Sequence, residues 1–136
     1  MTTVIVDYES GNLHSAEKAF QRMAAETGAG EVLVTSDPDV VRAATRVVLP
    51  GDGAFPACRK ELFDHRGLFE AIEEAVITGG RPFMGICIGM QMMASRGLEY
   101  KETPGFDWIG GTVEAISPSD PAMKIPHMGW NDLVID

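Results

Sequence analysis

Short β-branched apolar runs alternate along this chain with segments whose apolar residues recur every three or four positions. Val4-Ile5-Val6, Val32-Leu33-Val34 and Val47-Val48-Leu49 read as buried strands. Between the first two, Leu13, Ala16, Phe20, Met23 and Ala24 share one face of a helix, and Leu68, Phe69, Ile72, Ala75 and Val76 mark a later helix closed by Gly79-Gly80. That helix leads into Arg81-Pro82-Phe83-Met84-Gly85-Ile86, a short apolar strand opened by proline, and Met90-Gln91-Met92-Met93-Ala94 beyond it consists of good helix formers. The order implies βαβ units with right-handed crossovers, a parallel sheet covered on both faces, and any site on the loops at the strand C-termini. From about Gly105 the texture changes, and residues 108–116 and 130–135 read as short antiparallel strands added beyond the parallel core. No repeat, linker or low-complexity segment interrupts the pattern, so residues 1–136 are expected to form a single α/β domain.

Within that frame Gly85-Ile86-Cys87-Ile88-Gly89-Met90-Gln91 is the most informative stretch, because it places a cysteine where a strand turns into a helix, with glycine two residues away on each side. Such a corner holds its central residue in a strained conformation, and the flanking glycines let strand and helix approach closely, as in the G-x-S-x-G elbow with sulfur in place of oxygen. The helix N-terminus beside Cys87 favours the thiolate, the nucleophilic form of cysteine. Without the glycine spacing, a free cysteine in a Met-rich chain reads as a small buried hydrophobe. Cys58, in Pro56-Ala57-Cys58-Arg59-Lys60, has cations nearby but no elbow and is expected to be structural or incidental.

Two cysteines are too few for a disulfide framework, and reduced thiols fit a cytoplasmic protein. The N-terminal segment lacks the basic start and long apolar region of a secretory signal, and no apolar run reaches transmembrane length. With 20 acidic residues against 11 basic the net charge is −9, and no cationic cluster exceeds the pair Arg59-Lys60. A nucleic-acid partner is therefore not expected, because phosphate contacts need a positive surface. No cofactor and no metal are expected either.

Two glycine-containing turns follow predicted strands, Asp7-Tyr8-Glu9-Ser10-Gly11-Asn12 and Pro50-Gly51-Asp52-Gly53-Ala54-Phe55, and a parallel sheet puts both at the rim that carries Cys87. Gly, Asn, Asp and Pro are what any βα turn uses, and neither stretch has phosphate-loop spacing. A thiolate attacking an amide or ester nevertheless generates an oxyanion that needs two converging N–H donors. Ile88, after the nucleophile, supplies one, and the Gly51-Asp52-Gly53 backbone can present the other.

Taken together, Asp7-Tyr8 through Gly11-Asn12-Leu13, Leu49-Pro50-Gly51 with Gly53-Ala54-Phe55, the Cys87 elbow, and Lys124-Ile125-Pro126-His127-Met128-Gly129-Trp130-Asn131 resemble the glutaminase subunits of imidazole glycerol phosphate synthase. These are class I glutamine amidotransferases of histidine biosynthesis. The resemblance spans all 136 residues and implies a three-layer, flavodoxin-like class I glutamine amidotransferase fold, here truncated on its C-terminal side. It implies that Cys87 attacks the side-chain amide of glutamine through a thioester. The ammonia released would pass to a cyclase subunit that forms imidazole glycerol phosphate and AICAR. By the same resemblance Gly51, Asp52, Gly53 and Ile88 form the oxyanion hole and Gln91 contacts substrate. Asn12 would lie near the subunit interface and help hold the oxyanion loop, with His127, Met128 and Trp130 on the partner side, the Trp as an anchor for a partner cation. The plainer reading makes Met128 and Trp130 satellite core and His127 a satisfied loop histidine.

Departures from the family pattern bear on the chemistry. The family completes its triad with a His and a Glu in a segment beyond Asp136, and His14, His65 and His127 do not replace that pair. Without a base, turnover is expected to fall by orders of magnitude. Asp52 stands where the family commonly has Val, and a carboxylate at about 4 Å opposes a developing oxyanion by roughly 1–4 kcal/mol unless it points outward. Glu9, commonly Gly, adds a second acid at the rim and restricts the backbone. An open sheet edge after Leu133-Val134-Ile135 predicts self-association. Alternatives are a catalytically inactive fragment or partner-binding module that keeps the fold, and a different cysteine-elbow hydrolase drawing its base from His127 or His65.

Overall fold

The computed structural model describes residues 1–132, 134 and 135. Four parallel strands build the main sheet in the order β2-β1-β3-β4: β1 Thr2–Val6, β2 Glu31–Thr35, β3 Arg46–Leu49 and β4 Phe83–Gly85. Each neighbouring pair is in parallel register, with Val4 opposite Leu33 and Val47, and Leu49 opposite Gly85. Helix α1, Leu13–Thr27, links β1 to β2 and ends at Gly28, whose φ of +67° closes it. Helix α2, Pro38–Arg42, is capped by the Asp37 side chain and links β2 to β3. Between β3 and β4 come α3, Phe55–Asp64, and α4, Leu68–Glu73, which runs on into a π-helical turn at Glu74–Thr78 that Gly79 terminates.

Right-handed crossovers in this strand order put α1 on one face and α2, α3 and α4 on the other. The period of two along each strand divides the apolar residues accordingly. Val4, Val6, Val47 and Leu49 enter the main core with Phe55, Leu62, Leu68 and Ile72, whereas Ile5 and Val48, also buried, point the other way. Coverage is uneven. Helix α1 packs mainly on β2 and β1. Beside it Phe20 and Met23 border an apolar groove of about 250 Å³ over Val48 and Met84, and Met84 stays half exposed. The expectation of a sheet covered on both faces therefore holds for one face and half of the other.

Beyond β4 the chain makes α5, Ile88–Gln91, and a second small sheet ordered β6-β5-β7, with β5 Ala94–Gly97, β6 Thr103–Pro104 and β7 Ile109–Val113. Three expectations are corrected here. The elbow helix stops at Gln91 rather than running through Ala94, because the Met92 and Met93 carbonyls accept hydrogen bonds from Phe106, Trp108 and Ile109 instead of continuing the helix. β7 pairs parallel with β5, and only β5 and β6 are antiparallel. The described residues of 130–135 form no strand, and Leu133 lies outside the described residues. The free edges among the described residues belong to β2 and β4 in one sheet and to β6 and β7 in the other. No described helix is long and apolar enough to cross a membrane.

One contact fixes the second unit on the first. A Cβ on Gly89 would stand 1.9 Å from the Leu49 carbonyl oxygen. Gly89→Ala is therefore expected to cost at least about 2 kcal/mol in urea denaturation at unchanged slope, since β3 and α5 must separate to admit the methyl. Gly110, where a Cβ would meet nothing within 4 Å, is the control, and Gly110→Ala should stay within about 0.5 kcal/mol.

Candidate functional site

The loops after β1, β3 and β4 lie side by side on the C-terminal rim, because those strands are neighbours in the sheet. At the end of β4 the Ile86 N–H donates to the Leu49 carbonyl at 2.9 Å, and the chain then turns sharply into α5. Cys87 forms the corner with φ +55° and ψ −116°, a conformation that costs a non-glycine residue of order 1–3 kcal/mol and persists only where the surroundings impose it. They do so through the two glycines. A Cβ on Gly85 would lie 2.6 Å from the Gly89 backbone, so strand and helix touch directly at that point. Cys87 is exposed as a result, while Ile88 and Gly89 are buried beneath it. The helix behind the sulfur has only four residues, so its macrodipole is small, but the Ile88 N–H at its start has no hydrogen-bond partner among the described residues.

Against this elbow stands the turn after β3. A Cβ on Gly51 would meet the Gly89 nitrogen at 2.7 Å and the Ile88 Cβ at 2.9 Å, which brings the turn backbone onto the first turn of α5. Gly53 adopts φ +104°, a conformation open to glycine. The turn is held from below by buried side chains. The Tyr8 hydroxyl donates to the Pro50 carbonyl at 2.6 Å, the Asp52 N–H donates to Ser10 Oγ at 3.2 Å, and Cys58 Sγ donates to the Asp52 carbonyl at 3.1 Å. Gly11 fits against Pro50, since a Cβ there would lie 2.9 Å from the proline ring.

These contacts define the local part that several residues play. Asn12, expected near the subunit interface and as a support of the turn, caps α1 by accepting the Ser15 N–H at 3.2 Å, while Tyr8 and Ser10 of the same loop bond to the turn. Cys58 is structural rather than incidental, since it sits on α3 directly under the turn. Asp52 is exposed, and its carboxylate takes no hydrogen bond among the described residues. Glu9 is exposed at φ +69°, the left-handed region that a glycine enters at lower cost.

A cleft of about 410 Å³ opens beside the elbow, walled by Ile88, Gln91, Leu98, Glu99, Tyr100 and Glu114. Gln91, expected to contact substrate, ends the elbow helix and lines this cleft. No motif in the sequence marks Glu99, Tyr100 or Glu114, of which the first two lie between β5 and β6 and the third just after β7. Glu99 also reaches α3, where its Oε2 accepts the Phe55 N–H at 2.8 Å and supplies the cap that Ala54 lacks.

The remaining sequence candidates lie elsewhere. His127 and Met128 line a separate cavity of about 590 Å³ with Ile116, Pro118 and Ile125, and Trp130 is fully exposed, so neither Met128 nor Trp130 belongs to a satellite core. The His127 ring is 3.1 Å from Asn131 Nδ2, His65 ends α3, and His14 is exposed on α1. No histidine hydrogen-bonds Cys87 among the described residues. The described residues also contain no cluster suited to a metal ion.

Residues 4–136 match the glutamine amidotransferase class-I family. The chain belongs to the class-I glutamine amidotransferases. Within this amidotransferase family it is 71% identical over 136 residues to the imidazole glycerol phosphate synthase subunit HisH of Cereibacter sphaeroides, covering 100% of its own length and 64% of the relative's. To the subunit HisH of Ruegeria pomeroyi it is 68% identical over 136 residues with the same coverage, and to that of Rhodospirillum rubrum 56% identical over 134 residues, 98% of this chain and 63% of the relative. The chain thus spans about 64% of the length of the relatives it matches.

Support of the turn by Tyr8 is directly testable. Burial, and next the neighbouring Cys58, hold the Tyr8 phenol well above the usual tyrosine range. Because the folded pKa is the higher one, the phenol's contribution is complete below the unfolded value of about 10 and is lost as pH rises through the folded value. Unfolding of the unmodified chain should therefore become easier above about pH 10, and Tyr8→Phe should lack that part of the alkaline loss. At neutral pH the same substitution leaves the Pro50 carbonyl without its buried donor and should cost about 1–3 kcal/mol in urea denaturation.

Proposed function

We propose that these residues, as a single amidotransferase domain, form the glutamine-binding and acylating part of a glutaminase site. Cys87 attacks the side-chain amide carbon of glutamine as thiolate, and the carbonyl oxygen takes up the electron pair as an oxyanion. The Ile88 N–H and a backbone N–H of Gly51, Asp52 or Gly53 stabilise that charge. When the tetrahedral species collapses, the C–N bond breaks and the nitrogen leaves as ammonia after accepting a proton, which yields a glutamyl thioester on Cys87. Water then attacks the thioester to give glutamate and the free thiol.

Gln91 and the Glu99 and Glu114 carboxylates on the cleft wall suit the α-amino and α-carboxylate end of glutamine. The carboxylates would pair with its ammonium, and the Gln91 amide offers donors to its carboxylate. The observation that carries this reading is the Cys87 backbone, held at φ +55° between touching glycines with the Pro50 turn packed on α5.

By likeness to the HisH relatives, the ammonia is used by the cyclase subunit of imidazole glycerol phosphate synthase in histidine biosynthesis, in the cytoplasm. His127, Met128 and Trp130 are proposed for the face toward that partner, since Met128 and Trp130 are exposed and apolar. Proton transfer at the sulfur needs a base, and no described histidine bonds to Cys87. These 136 residues alone are therefore expected to acylate and to turn over very slowly.

A diazo-ketone analogue of glutamine tests the reading. One equivalent should label Cys87 and spare buried Cys58, glutamine should protect, and Cys87→Ala should remain unlabelled. Failure to label Cys87, even with a cyclase subunit added, would overturn the glutaminase and leave a partner-binding module.

A further inference from the structure

The adjacent cations Arg59 and Lys60 take no part in the Cys87 site, yet the fold brings a third cation to them. Glu99 Oε2 accepts the Phe55 N–H at 2.8 Å, which fastens the segment between β5 and β6 against α3. Lys101 of that segment then shares a cavity of about 370 Å³ with Arg59 and Lys60, and Pro56, Phe63 and Pro104 supply its apolar walls. In a chain with 20 acidic and 11 basic residues, three cations around one cavity reverse the overall balance.

The two carboxylates that line this cavity are engaged elsewhere. Asp64 pairs with Lys60 one turn back on α3, and Glu102 pairs at 3.4 Å with Arg96, which does not line the cavity. Arg59 and Lys101 pair with no carboxylate among the described residues. Arg59 is also held in place. Its guanidinium carbon lies 4.0 Å from the centroid of Phe63, one turn along α3, and that ring stacks on Phe69 at 4.4 Å. Arg59 Nε is out of solvent and donates to nothing among the described residues. A desolvated charged donor ordinarily has an acceptor. Here the guanidinium lacks one, and it offers a fixed planar fork whose freedom is lost before any ligand arrives.

The geometry points to a phosphate-binding site between α3 and the β5–β6 segment, gripped by the Arg59 fork and the Lys101 ammonium, for inorganic phosphate or the phosphate monoester of a small organic molecule. A dianion matches two cations that have no carboxylate, where a monocarboxylate would match one. The guanidinium suits two oxygens side by side, and the ammonium acts as a point charge on the third. The apolar walls receive the organic part of an ester, whereas inorganic phosphate uses the cations alone. None of the residues around this cavity lines the cleft beside the elbow, so the site stands apart from Cys87 and does not rest on the glutaminase reading.

Phenyl phosphate and inorganic phosphate, titrated separately into the isotope-labelled chain near pH 8 with sodium chloride holding the ionic strength at about 0.1 M, test the site by amide NMR. Resonances of residues 59–64 and 101–103 should shift and saturate, with half-saturation at about 1 mM for a small ligand held by two charge-assisted contacts. Arg59→Gln and Lys101→Gln should each raise that concentration about tenfold, the worth of one charge-assisted bond. Lys18→Gln, on the exposed side of α1, should leave it unchanged. Lys101 is exposed, so its variant reports even where Arg59→Gln unsettles Phe63 and α3. Tighter binding of phenyl phosphate assigns the walls to an organic group, binding no tighter than inorganic phosphate assigns the site to the phosphoryl group alone, and either result supports it. Shifts that do not saturate, shifts that sodium chloride alone reproduces, or a half-saturation unmoved in Lys101→Gln would each overturn it.

Discussion

The direct contact of Gly89 with the Leu49 and Pro50 backbone is the constraint on which the rest of the rim depends. Strand β3, the turn after it and helix α5 converge there with no side chain between them, and no other residue type permits that separation. Because α5 cannot move away, Cys87 must take up the whole change of direction at one residue, which drives it to positive φ and lifts its side chain into solvent. Exposure of the sulfur is thus a consequence of backbone packing beneath it, and the strain at Cys87 is offset by the buried apolar residues that clamp the two units together.

Around this contact the site is layered by chemistry. The elbow contributes a strained, exposed thiol and an N–H unpartnered among the described residues, and the Pro50 turn contributes further amides and a conformation that glycine makes possible. Tyr8, Ser10 and Cys58 govern the turn from inside the core through carbonyl and amide bonds rather than through contact with substrate. Such a support is stiff because each group is desolvated and a lost partner would leave a buried polar atom unmatched.

Much of the fold could be read from the sequence because its signals were local. β-branched triplets marked β1, β2 and β3, helical spacing marked α1 and α4, and paired glycines marked the elbow. The misreadings share one cause, which is competition from groups distant along the chain. Met92 and Met93 are good helix formers, yet residues 106–109 take their carbonyls and end α5 early. The strand at 109–113 was legible but its parallel pairing with β5 was not, since alternation carries no information on direction. At the site, Cys87 and the glycine turn were legible from spacing. Glu99 was not, because its place in the cleft comes from a turn between strands of the second sheet. The cap that Asn12 places on α1 was readable too, since an Asn just before an apolar helix commonly satisfies its N-terminus.

Glu99 also joins two parts of the molecule that are far apart in sequence. Its carboxylate fastens the leading amide of α3 while forming part of the cleft wall, and α3 carries Cys58 into the bonds beneath the turn. A cation placed in the cleft would have to share those oxygens with a backbone already using one of them. The start of α3 and the wall of the cleft therefore draw on one carboxylate, a single helical turn away from the thiol that supports the turn after β3.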